Sequence, residues 1–284
     1  MNPPECDELD CIHFLVAAQK AFTCTEAARC QPQRESGESS PPAHDAFTRL
    51  LQRVPLDTEA LWQESKQLVR RDQGSLVLDD TTLDKLYAEK MELVMYHWSG
   101  KHHGVVKGIN LITLLWSDGA AHILCDFRVY NGPVDDLTKN DHFKDMLRKA
   151  RERGFRPGYV IFDSWYSSLE NLKLVRSFGW HFFTRLKENR LVNPTGDRKG
   201  NVHVSTVEIP PQGRVVHLMG FGMVKVFMSV SKEGDVEYYA TDNLGMESGE
   251  CSGLSALGWR IEEYHRGIKQ CCGVERAQVR GGLP

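Results

Sequence analysis

Three sets of carboxylates stand apart by where they fall in a chain of 284 residues. Asp79 and Asp80 close the apolar run that starts at Ser75, Asp163 closes a second run that starts at Gly158, and Glu262 with Glu263 lies in Trp259-Arg-Ile-Glu-Glu-Tyr-His-Arg-Gly-Ile-Lys-Gln270. Runs of this length and composition are expected to be buried strands. Strand ends along one edge of an α/β sheet line a crevice. Acids that converge there repel one another unless a cation neutralises them. Hard oxygen ligands without paired histidines favour Mg2+ or Mn2+ over zinc. Two such ions are the usual arrangement for in-line displacement at a phosphodiester, with one activating the attacking oxygen and the other stabilising the leaving one. The expected set is Asp80, Asp163 and Glu262. Consecutive strand residues point to opposite faces, so Asp79 and Asp80 are not both expected in the site. Asp79 and Glu263 are expected to be solvated or paired with nearby cations.

The elements that must carry these acids follow from the pattern around them. Residues 259–270 read as a helix whose apolar stripe is Ile261, His265, Ile268 and Cys272. Glu262, Arg266 and Lys269 share the adjacent stripe, a spacing that an ordinary solvated salt-bridge face would also show. Strands are expected at 75–82, 110–116 and 122–130, the last two joined through Ser117-Asp-Gly119, and together they make a meander. A helix follows, opened by Thr138 and Asp141 as a capping box and stopped by Gly154. Its cations, among them Lys139, Lys144, Lys149 and Arg153, outnumber its acids, which fits either a solvated face or a phosphate-contacting one. Residues 158–187 read as strand, helix and strand, hence a parallel pair; Ser167 and Glu170 cap the helix and Gly179 ends it. Residues 200–242 are β-rich with regular turns, an antiparallel insertion extending over about 190–245, and 243–258 is Gly/Ser-rich and loop-like.

Composition sets outer bounds. Apolar and charged contents are those of an ordinary globular protein, and a net charge of -3 leaves any nucleic-acid surface to a local patch. No apolar run approaches a membrane span, and the amino terminus has no basic segment followed by an apolar one, so neither a membrane partner nor export is expected. Eight cysteines without regular spacing then suggest reduced thiols in a cytoplasm. Cys6, Cys11, Cys24 and Cys30 lack the close pairs of common zinc modules. Residues 1–72 are expected to form a helical region of their own, with a Pro/Ser/Glu-rich linker at about 31–45, and 73–284 to form the main domain.

Asp79-Asp-Thr-Thr82, Tyr159-Val-Ile-Phe-Asp-Ser-Trp165 and Trp259-Arg-Ile-Glu-Glu-Tyr-His-Arg-Gly-Ile-Lys269 resemble the three acidic blocks of bacterial insertion-sequence DDE transposases, in particular the group with a Tyr/Arg/Glu/Lys signature around its Glu. The resemblance implies an RNase H-like mixed sheet flanked by helices, with a β insertion before the Glu and an amino-terminal helical domain for transposon-end DNA. It also implies binding of terminal inverted repeats and target DNA by a homodimer near the nucleoid. By the same likeness Asp80, the acid directly before Thr81-Thr82, is the first metal ligand, and Lys269 matches the signature Lys. The signature Arg and Tyr positions hold Gly258 and Ser255, and Arg260 or Arg266 is expected to take over the phosphate contact. The chain stops soon after the Glu helix, which reads as a shortened member.

Other residues are weighed beside these. Arg185, Lys187 and Arg190 follow a strand near the site and are expected to track a DNA backbone; His102 and His103 sit in a basic loop suited to a phosphate. Asp126 is a candidate for a structural carboxylate or for a partner of the site's acids, and Trp165, Trp180 and Trp259 are expected to be core before base-stacking residues. The function expected is therefore DDE transposition: cleavage that frees a 3′-hydroxyl, then its attack on target DNA. Its rivals are a metal-dependent nuclease on the same fold and a catalytically weak DNA-binding remnant.

Overall fold

A computed structural model describes residues 6–18, 22–31, 41–54, 57–89, 91–99, 104–196, 200–231 and 234–276. The elements in chain order are α1 (Glu8–Ala17), α2 (Cys24–Arg29), α3 (His44–Arg53), α4 (Thr58–Ser65), β1 (Ser75–Asp84), β2 (Met95–Ser99), β3 (Gly104–Ser117), β4 (His122–Tyr130), α5 (Gly132–Asp135), α6 (Lys139–Glu152), β5 (Tyr159–Phe162), α7 (Leu169–Ser177), β6 (His181–Leu186), β7 (Leu191–Val192), β8 (Val202–His203), β9 (Arg214–Leu218), β10 (Gly222–Val230), β11 (Val236–Thr241) and α8 (Ser248–Gln270). His102, His103, most of the expected linker and the last eight residues lie outside the described residues.

The chain divides into two compact units. One comprises Met1–Thr58, Thr81–Leu111 and Glu263–Pro284; the other comprises Glu59–Asp80 and Ile112–Glu262. In the first unit, α1, α2 and α3 share a small core of Cys6, Phe14, Ala27, Ala46, Phe47 and Leu50. There β2 pairs antiparallel with the start of β3, Trp98 opposite Val105. The helices α1, α2 and α3 fall in the stretch expected to be helical, although α3 begins inside the expected linker. Residues 59–72, expected with them, belong to the second unit, where Trp62 and Val69 join its core.

The second unit is built on a mixed sheet of order β4-β3-β1-β5-β6-β11-β10-β9. The expected meander supplies β1, β3 and β4, and the expected strand–helix–strand unit supplies β5, α7 and β6 as a parallel pair, Ile161 opposite Phe183. β1 is parallel to β5, with Val77 opposite Ile161 and Leu78 opposite Phe162. Ser75 to Leu78 and all of β5 are buried, as continuous apolar runs in the parallel centre of a sheet must be. The β-rich insertion is no separate body: β11 pairs antiparallel with β6, Tyr239 opposite Arg185, and β10 and β9 continue the sheet outward. This is the mixed sheet with flanking helices that the RNase H-like expectation describes.

Helix ends follow local chemistry. Thr138 Oγ1 accepts from the Asp141 amide at 3.2 Å and Asp141 Oδ2 accepts from the Thr138 amide at 3.0 Å, the reciprocal box read from sequence. Thr138→Ala is expected to cost about 1 kcal/mol, measured as a lower urea midpoint at an unchanged slope. For α7 the cap is Ser168, bonded to the Asn171 amide, and not Ser167, whose hydroxyl donates to the Ser164 carbonyl. The larger departure is α8. Residues 248–258, expected as loop, are its first three turns. Cys251, Leu254 and Ile261 are buried along one stripe, and that burial outweighs the weak helix propensity of Gly and Ser.

Among the described residues no helix is long and apolar enough to cross a membrane.

Candidate active site

A cleft in the second unit is floored by Val77, Ile161 and Phe183 of three adjacent strands and walled by Leu254, Gly258 and Ile261 of α8. Asp79, Asp163 and Glu262 all line it. The strand register decides which member of the Asp79–Asp80 pair enters. Val77 and Ile161 are paired and both face the cleft, so two residues on along each parallel strand Asp79 and Asp163 emerge on that same face. Asp80, expected to point into the site, is not among the residues that line this cleft. Asp80 leaves the other face, where Tyr166 Oη donates to its Oδ1 at 2.8 Å and Lys139 Nζ donates to its Oδ2 at 2.8 Å. Alternation requires only that the two acids part, and their order in the sequence does not say which face of the sheet the helix covers.

Asp163 is fixed at the carboxyl end of β5 because its Oδ1 accepts from the Trp165 amide at 3.0 Å, turning the chain into the one-turn helix Ser164–Tyr166. The electrostatics of the cleft are those of crowded acids. Burial, then the charges of Asp163 and Asp80, hold the Asp79 carboxyl well above the usual carboxylate range, and Glu262 adds to this. Burial, then Asp80, raises Asp163. Tyr166, itself fully buried, is pushed well above the phenol range by burial and by Asp80, which keeps it a hydrogen-bond donor.

Among the described residues that line the cleft, one is a cation, Arg185 of β6. It pairs with Glu237 at 3.0 Å. Burial works against its charge, but Tyr239, Glu237 and Glu262 outweigh this and raise its pKa. Tyr239 Oη donates to Glu237 Oε2 at 2.5 Å and accepts from Ser255 Oγ at 3.0 Å. The cleft thus holds a phenol and a guanidinium beside Glu262, contributed by β11 and β6, although the α8 positions expected to carry Tyr and Arg are Ser255 and Gly258. Sequence reading singles out Arg185, and Lys139 only as one of the α6 cations, but misses Tyr239 and Tyr166; only the register of β6 against β11 brings Tyr239 next to Arg185.

The remaining expected DNA contacts divide. Lys187 and Arg260 are exposed in the second unit and Arg190 is half-buried there. Arg266 is exposed in the first unit. Lys269, in the same unit, is engaged: its Nζ donates to the Thr82 carbonyl at 2.7 Å and pairs with Glu275 at 3.2 Å. The cationic helix α6 is largely tied down within its own unit, Lys144 to Asp141 at 2.9 Å and Arg153 to Glu59 at 2.9 Å, which favours a structural role for its charge. Asp126 is fully buried and paired with Arg128, a structural carboxylate as expected. Trp180 is core, whereas Trp165 and Trp259 are about half exposed.

Among the described residues no three His, Cys, Asp or Glu side chains already stand in the geometry of an assembled metal site. The donor set of the cleft nevertheless suits a hard divalent cation: three carboxylates, two of them on adjacent strand ends and raised first by burial and then by neighbouring carboxylate charge, which such an ion would offset.

The comparisons with known proteins bear on this site. No curated protein matches the chain significantly. Among solved structures, the Drosophila P element transposase strand transfer complex is similar over 57% of this chain and 34% of that one, about a third of its length, at 13% identity and a TM-score of 0.26. The model of the DDE superfamily endonuclease family matches residues 21–203, a span that includes β1 with Asp79 and Asp80 and β5 with Asp163 and ends before α8. With well over half of its length matched, the chain belongs to the DDE superfamily endonuclease family.

Proposed function

We propose that the chain is a DNA transposase of the bacterial insertion-sequence type, in which Asp79, Asp163 and Glu262 hold two Mg2+ or Mn2+ ions. The observation that carries this reading is that these three acids line one cleft in a chain of a DDE endonuclease family. When bound, such ions would activate the attacking oxygen and neutralise the leaving one. The protein's own part is positional. Asp79 and Asp163 project from adjacent parallel strands, so the distance between them is set by the sheet. Glu262 is brought to them by packing of α8 on the same strands. Arg185, steadied by Glu237 and Tyr239, orients a phosphate at the open side of the cleft. Tyr166 and Lys139 hold Asp80 away from the reacting groups and lock the end of β1.

In this reading, residues 1–72 contain the element that recognises terminal inverted repeats, and Lys187, Arg190, Arg260 and Arg266 follow the DNA backbone. Two copies hold the transposon ends together, and the freed 3′-hydroxyl attacks target DNA. A second reading, a metal-dependent DNA nuclease without strand transfer, is favoured by the family's description as endonucleases.

Cleavage of a donor plasmid in Mg2+, run beside Glu262→Gln, separates the readings. Transposase activity predicts cuts at transposon ends that join to target DNA and fall more than about a hundredfold in the variant, beyond the loss expected from disturbing only an outer partner of a metal ligand. Cutting without regard to ends supports the nuclease. Tight end binding with no cutting in the unaltered protein overturns both.

A further inference from the structure

Three of the six indoles are core, Trp62, Trp116 and Trp180 at 4%, 1% and 5% exposed, and three are exposed. Of the exposed ones, Trp98 at 64%, Trp165 at 53% and Trp259 at 48%, Trp165 is the one that follows an acid of the cleft, Asp163, on the same short turn. It is displayed from a firm support. Its amide donates to Asp163 Oδ1 at 3.0 Å, the next residue, Tyr166, is fully buried and bonded to Asp80, and Ser167 closes the turn onto the Ser164 carbonyl at 2.8 Å. Two ammonium groups flank its ring, Lys139 Nζ at 5.7 Å and Lys187 Nζ at 5.9 Å from the ring centroid. Lys139 is anchored on Asp80 at 2.8 Å and stays where it is. Lys187 lies on the surface, and among the described residues no carboxylate pairs with it. An exposed, rigidly mounted indole with two cations close to its ring suits a ligand that is flat, aromatic and joined to negative charge. A nucleobase in single-stranded DNA has this form: the base stacks on the ring and its phosphates meet the ammonium groups.

We propose that Trp165, with Lys139 and Lys187, is a binding site for one unpaired nucleobase of DNA beside the acidic cleft. On binding, the base takes the ring face and the Lys187 ammonium moves from the ring to a phosphate. Because Trp165 is bonded through its backbone to Asp163, the captured base lies a fixed short distance along the strand from the cleavage position. This site would hold an unstacked nucleotide next to the scissile phosphodiester. The inference rests on the cleft acting on DNA.

The test uses the full chain in EDTA, so that nothing is cut, with two oligonucleotides. One is a fully paired duplex and the other is the same duplex carrying a short single-stranded tail with 2-aminopurine in it. The intact protein is expected to quench 2-aminopurine in the tail and to bind the tailed duplex more tightly than the paired one. Trp165→Ala should abolish the quenching and weaken binding of the tailed duplex by about five- to a hundredfold, the usual worth of one stacked base, with affinity for the paired duplex unchanged. Trp165→Phe should retain much of the stacking and serves as the folding control. Unchanged quenching and affinity in Trp165→Ala would overturn the site, as would an equal loss on both duplexes. If the intact protein binds neither duplex, the reading of the cleft as a DNA-processing site falls, and the stacking site with it; binding of both with no dependence on Trp165 sinks the stacking site alone.

Discussion

Asp79→Asn is expected to abolish cleavage, by more than about a hundredfold, while leaving DNA affinity within a few-fold. The substitution keeps the side chain's shape and removes one ionisable oxygen from the acid triad, and in the proposed site Asp79 would hold an ion and not a phosphate. Asp163→Asn should behave in the same way. Asp80→Asn is the informative contrast. Asp80 is bonded to the buried Tyr166 hydroxyl and to Lys139 on the face away from the cleft. Its loss of charge should therefore cost stability, about 1–3 kcal/mol as for hydrogen bonds to a charged group, and leave substantial cutting in the folded fraction. Melting curves and plasmid cleavage on the three variants decide the matter. Full activity in Asp79→Asn with none in Asp80→Asn would return the role to Asp80 and refute the placement of the cleft.

Gly258→Arg, which installs the residue that the Tyr/Arg/Glu/Lys group carries at this position, is expected to lower activity and not to raise it. A Cβ on Gly258 would stand 3.2 Å from Ile161 Cγ2, tighter than ordinary packing, so the Ile161 side chain or α8 must give by a few tenths of an ångström, and the longer Arg side chain adds to that displacement of α8. That is an overpacking change, worth about 1–3 kcal/mol of stability. The displaced helix carries Glu262, four residues on, away from two aspartates whose own strands do not move with it. Cleavage should fall at least tenfold, and Arg185→Ala should weaken phosphate binding in the unaltered background, because the guanidinium of the cleft comes from β6. If Gly258→Arg instead cuts faster with an unchanged melting temperature, α8 has more room over β5 than this packing allows.

Much of the site was readable in the sequence because its signals are local. The run Tyr159-Val-Ile-Phe162 ending in Asp163, the capping box at Thr138 and Asp141 and the helical spacing around Glu262 each depend on residues within one or two turns of each other. The parallel pair β5 and β6 followed from the same kind of evidence, since a strand, a helix of nine residues and a strand have few ways to connect. The three acidic blocks are likewise legible in the sequence.

What the sequence left open depends on contacts between residues far apart. Asp79 and Asp80 are both at the end of β1, and alternation says only that they part; the packing of α8 on the face of Val77 and Ile161 chooses Asp79. The first three turns of α8 are helical because Cys251 and Leu254 find a surface to bury against, which no count of Gly and Ser in that stretch reveals. The phenol and guanidinium of the cleft come from Tyr239 and Arg185, over fifty residues apart in the chain and paired only by the register of β11 on β6. The sequence by itself determined which acids the chain possesses and what kind of element carries each, because propensity and periodicity are short-range. Tertiary structure alone decided which face of the sheet became the cleft, because that choice is made by the area buried between a helix and strands that are neighbours in space and not in sequence.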